Sequence, residues 1–119
     1  MAIVAYYNTS NNNQAFEDYE KNFYGSRMQY LASDLLSKGV SSKEITDALS
    51  RAMNCLRLNE IMLMKHFIPI YTSINGEVFK DCKLSNFGYA MLIINTDPSN
   101  FVIAQLQLKI ISKYLKSKF

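Results

Sequence analysis

Tryptophan is missing from this chain, histidine occurs once, cysteine and proline twice each, and glycine four times. Each scarcity removes a class of function. Cys55 and Cys82 stand 27 positions apart with no CxxC or Cys/His spacing, so neither a zinc site nor a disulfide framework is indicated and two buried free thiols are expected. A single histidine, His66, gives no plausible catalytic triad, and no glycine belongs to a Walker-type or dinucleotide-binding loop. The expectation is a protein with no cofactor, no metal and no enzymatic activity. A run of about 18 apolar residues is also lacking. Residues 1–13 lack the basic-then-apolar layout of a secretory leader, so the reading is a cytoplasmic protein with no membrane partner.

What is present is a large apolar share, 49% against 19% charged, enough to offset the conformational entropy lost on folding. A chain of 119 residues fits one domain with one core. Seven Phe, eight Tyr and six Met make that core large and adaptable, with some Tyr hydroxyls left at the surface. The net charge of +3 is unevenly spread: residues 1–37 carry more acids than bases, and residues 38–119 the reverse.

Local patterns set an order of elements. The Asn-rich stretch from Asn8 to Asn13 makes residues 1–13 a loosely ordered lead-in to a single domain over 14–119, although Ile3 to Tyr7 could dock as an edge strand. Phe16, Tyr19 and Phe23 recur at helical spacing, and Ser26 with Gln29 suggests that the helix restarts after a break or bend near Gly25. Gly39 ends that helix. Ser41 and Glu44 form a capping box for the next, whose stripe Ile45, Leu49, Ala52 and Leu56 faces a core. Asn75-Gly76 between two β-rich arms predicts a hairpin at about 67–80, with Pro69 confining the first arm to an edge. Ser85 caps a helix apolar enough to be buried on most sides. Asp97-Pro98 opens a final one with the stripe Ile103, Leu106, Ile110 and Tyr114. The fold class is therefore mainly α with a small β-hairpin (α+β), in the order helix, helix, hairpin, helix, helix around one core.

Two features point to binding. The segment from Leu35 to Ile45 has the outline of a helix-turn-helix, which would present Lys43, Thr46, Asp47, Ser50 and Arg51 to DNA, a simple helical hairpin being the alternative. Lys109, Lys113 and Lys116 recur at i, i+4 and i+7 on the last helix, placed opposite its apolar stripe, where they could meet phosphates or an acidic protein, or merely offset the helix dipole. Met53, Met62, Met64, Tyr71 and Phe79 are candidates for an apolar partner surface, with a core role as the competing reading. The acids Glu17, Asp18 and Glu20 are read as helix-start charges, and the Asp97 to Asn100 corner as an ordinary helix start.

Residues 83–107, with Leu84-Ser85, Asn95, Asp97-Pro98, Ala104 and Gln107, resemble a block of DNA-damage-inducible protein D and of BRO-type phage antirepressors. Gly88-Tyr89 and Phe101 depart from that block, and Ser42 to Leu56 would correspond to the N-terminal helical segment of those proteins. The resemblance implies a phage or mobile-element regulator that modulates a host or phage regulatory protein without covalent chemistry. Direct DNA binding is the alternative, and the wide apolar arc of the last helix suggests a homodimer.

Overall fold

The computed structural model describes residues 14–118, and the expectations for residues 1–13 lie outside them. The chain forms α1 (Gln14–Gly25), β1 (Tyr30–Leu31), a 3-10 helix (Ala32–Lys38), α2 (Ser42–Leu58), a 3-10 turn (Leu63–Lys65), β2 (Phe67–Ile74), β3 (Glu77–Leu84), α3 (Asn86–Asn95) and α4 (Phe101–Lys118). The expected mainly helical α+β order stands, with one strand added. β3 lies between β1 and β2, both antiparallel to it, in the order β1-β3-β2. Pro69, which has no N–H to give a ladder, does sit on an edge strand, where it faces Cys82.

α2 is the central element. Ser41 Oγ accepts the Glu44 amide at 3.2 Å, and the helix then buries Ile45, Ala48, Leu49, Ala52, Met53 and Leu56. Against this row pack Phe67, Cys82 and Leu84 of the sheet, Leu92 and Ile93 of α3, and Ile103 of α4. Burying six side chains from one helix contributes several times the stabilisation its backbone propensity could supply.

Three local readings are corrected. No α-helix resumes after Gly25. Ser26 Oγ and the Arg27 guanidinium donate to the Phe23 carbonyl and close α1, and Tyr30–Leu31 then extends to pair with Leu84 and Lys83 of β3. The following turn is 3-10, whose three-residue period buries Ala32 and Leu35 together and turns Leu36 outward. A distant carboxylate fixes it: Asp81 of β3 accepts the amide and hydroxyl of Ser33, and also the Cys82 amide.

The final helix starts later than Asp97-Pro98 implies. Asp97 Oδ1 accepts the Ser99 amide as a turn. Asn100 is the true cap, its Oδ1 accepting from Val102 and Ile103 while its Nδ2 donates to the Lys38 carbonyl. Asn100 wins because it serves two elements at once. Gly39 makes room for this: its φ is +88°, and a Cβ there would lie 2.7 Å from Asn100 Nδ2.

α3 is less enclosed than its composition suggests. Gly88, Leu92 and Ile93 are buried, whereas Phe87 and Ile94 face outward. In α4 the stripe Ile103, Leu106, Ile110, Tyr114 leaves the core progressively: Ile103 is fully buried, Leu106 and Ile110 are half-buried, and Tyr114 is exposed.

Candidate functional site

The helix-turn-helix outline places its polar residues on contacts within the chain. Lys43 Nζ pairs with Asp47 Oδ2 at 2.8 Å. That hydrogen bond raises the Lys43 pKa and lowers that of Asp47. Arg51 donates to the Asn95 carbonyl at the end of α3 and pairs with Glu44, whose carboxylate also accepts the Asp97 amide. Glu44 and Arg51 thus clamp the α3–α4 corner onto α2. Lys43, Glu44, Asp47 and Arg51 balance in charge, so this surface offers little net attraction to phosphates. Thr46 donates to the Ser42 carbonyl within the helix, and Ser50 is exposed.

Lys109, Lys113 and Lys116 are exposed, and among the described residues none has a carboxylate within ion-pair distance. At about 100° per residue they lie roughly a quarter-turn from the core stripe, not opposite it. A second apolar row, formed by Phe101, Leu108, Ile111 and Leu115, all exposed, lies roughly a third of a turn from them on their other side.

The hairpin is half core and half arm. Residues 67, 68 and 81, 82, 84 are buried, while 71 and 77–80 are exposed. Tyr71 pairs with Lys80 and Thr72 with Phe79, so Tyr71 and Phe79 point to opposite faces of the arm. Met62 and Met64 sit away from the arm's tip, beside and within the 3-10 turn that leads into β2, Met62 exposed and Met64 half-buried. Met53 belongs to the core. The expected partner residues are therefore not brought together as one patch.

Phe79 stands at the better-formed feature. A cleft of about 420 Å³ lies between the arm, the 3-10 helix and the start of α2, lined by Leu31, Leu36, Ile45, Thr72 and Phe79, with Ser33, Ser42, Lys80 and Asp81 as its polar members. Leu36 and Phe79 stand half out of the protein at its rim. An apolar recess with a few polar groups fits a protruding side chain of a partner. Sequence reasoning missed Leu36 because an α-helical period assigns it to the core, and Asp81 because its partner Ser33 lies 48 residues away.

His66 and Ser85 form a contact of chemical type, with Nδ1 and Oγ 2.7 Å apart. Ser85 Oγ also accepts the Gly88 amide at 2.9 Å as the cap of α3, so its hydroxyl proton is free to go to His66. The pair joins the start of β2 to the start of α3. Burial, helped by Lys65, lowers the His66 pKa. Cys82 is buried with its thiol pushed up to about 12, first by desolvation, whereas Cys55 is exposed. Only one of the two thiols is therefore buried as expected. Among the described residues no cluster of three His, Cys, Asp or Glu could hold a metal ion, and no helix is long and apolar enough to cross a membrane.

The resemblance block has a structural role. Gln107 Nε2 donates to the carbonyls of Ile93 and Thr96, and Asn95 Nδ2 to that of Met91, so these residues close the α3–α4 corner. No protein-family model, curated protein or solved structure matches the chain.

Proposed function

We propose that this protein is a non-enzymatic regulatory or inhibitory module, antirepressor-like in action, that works by binding another protein through its hairpin arm. The observation that carries this reading is the apolar cleft rimmed by Phe79 and Leu36, with Tyr71 and Val78 exposed on the arm's other face. A contiguous apolar recess with large side chains at its rim is the kind of exposed surface that marks an interaction site. The arm offers aromatic anchors and the cleft a receptacle, the usual centre of a protein interface.

The test compares the immobilised chain with a Tyr71→Ser/Phe79→Ser variant in capturing host proteins. Both positions are exposed, so the variant should fold as the parent does. The reading expects a protein retained by the parent and lost from the variant, and equal retention by both would contradict it. The Lys109/Lys113/Lys116 row favours a second reading, direct DNA binding, because those cations have no carboxylate partner among the described residues. That reading expects affinity for random-sequence duplex to fall steeply between about 50 and 200 mM salt.

A further inference from the structure

We propose that the outward face of α4 pairs with the same face of a second copy of this chain, as a short two-helix seam. Phe101, Leu108 and Leu115 are spaced by seven, and Ala104 and Ile111 fall between them at the complementary positions, which is the a/d heptad pattern of a coiled coil. The face is exposed where a seam needs it: Phe101 by 74%, Leu108 by 69%, Ile111 by 48% and Leu115 by 47%. It lies well over a quarter-turn from the row Ile103, Leu106 and Ile110 that holds α4 to its own core. The helix therefore carries two apolar rows, and the fold uses one.

Charge placement selects a second copy as the occupant. The residues flanking the seam are Gln105, Ser112, Gln107 and Tyr114, all uncharged, while Lys109, Lys113 and Lys116 fall outside the flanking positions. Over residues 101–115 two identical basic helices can thus meet without opposing lysines, Lys118 at the next d position marking the end of the seam, whereas an acidic partner would find no cation beside that stretch of the apolar row. Exposed side-chain surface on these residues amounts to about 450 Å² per chain, so two copies bury roughly 900 Å² before flanking contacts, the size of a weak, concentration-dependent contact and not of a permanent dimer. The helix is already folded, so pairing costs little ordering.

This pairing does not rest on the hairpin reading, and the Tyr71→Ser/Phe79→Ser chain should self-associate as the parent does. The experiment is sedimentation equilibrium of the full chain over about 1 to 100 μM, with Leu108→Glu and Ile111→Glu as seam variants and Lys113→Glu as an off-seam control. The expected result is a rise from 13.7 kDa toward twice that mass for the parent and the control. Each seam variant should hold at the single-chain mass with unchanged far-UV circular dichroism. A parent that stays monomeric overturns the proposal, as do folded seam variants that still dimerise. If a monomeric parent sediments with phosphatidylserine vesicles, the face belongs to an anionic lipid surface instead.

Discussion

Gly88 shows how one side chain, or its absence, fixes a junction. A Cβ there would land on the His66 backbone carbonyl, which already accepts the Ser85 amide. Gly88→Ala gains about 1 kcal/mol of helix propensity but forces β2 and α3 apart, an overpacking cost of roughly 1–3 kcal/mol. The predicted outcome is a net loss of stability, read as a lower urea midpoint. The two thiols differ as sharply. With Cys82 buried and its thiol near 12, a thiol reagent at neutral pH should titrate one group, Cys55, in the native protein, and a second only on unfolding. His66 supplies a pH dependence. Its pKa is lowered in the folded state, so the unfolded chain takes up the proton first, near 6.5. Stability should be flat above that value, fall as pH drops from it to the folded pKa, and level off below. The urea midpoint of the parent should show this decline, and that of His66→Gln should lack it.

At the scale of elements, what was legible in the sequence was what local periodicity encodes. Gly39 with Ser41, Asn75-Gly76 and Ser85 each specify a stop, a turn or a cap with nearby atoms, and each stands where expected. The misplaced boundaries are those decided by distant partners. β1 exists because β3 offers it a ladder, the 3-10 helix because Asp81 reaches Ser33, and the start of α4 because Asn100 can also hold the Lys38 carbonyl. The rings of Tyr30 and Tyr89, stacked with centroids 4.2 Å apart, tie β1 to α3 in the same way. Two consequences are measurable by urea denaturation. Asp81→Ala leaves the Ser33 and Cys82 amides without their acceptor and should cost about 2–3 kcal/mol. Arg51→Ala releases the half-exposed clamp on Asn95 and should cost about 1 kcal/mol or less.

At the scale of the whole molecule, apolar surface remains among the described residues on α1, where Phe16, Tyr19 and Phe23 are exposed, on the hairpin arm and on α4. The hairpin arm extends beyond the sheet's buried half, and α4 carries a second apolar row beyond the one its own core covers. Aromatic and Met-rich composition flagged Tyr71 and Phe79, and periodicity the wide apolar arc of α4. Periodicity could not separate the core row from the outward one, since both obey helical spacing and only the packing of Ile103 against α2 and α3 distinguishes them. The candidate cleft was less legible still, because Leu31, Leu36, Ile45, Thr72 and Phe79 come from five elements. The charges complete the division of labour proposed here: α2 spends Glu44 and Arg51 on the α3–α4 corner, which leaves apolar surface as the main means of recognition.

That claim is tested most directly by placing a photo-crosslinking phenylalanine analogue at position 79, with position 50 on the exposed polar face of α2 as the control, and irradiating the protein in the cells that express it. The account predicts a discrete crosslinked product from position 79 that is absent from position 50 and survives about 0.5 M salt, as apolar docking should. Identical products from both positions, or a product at 79 that disappears as salt rises, would contradict it.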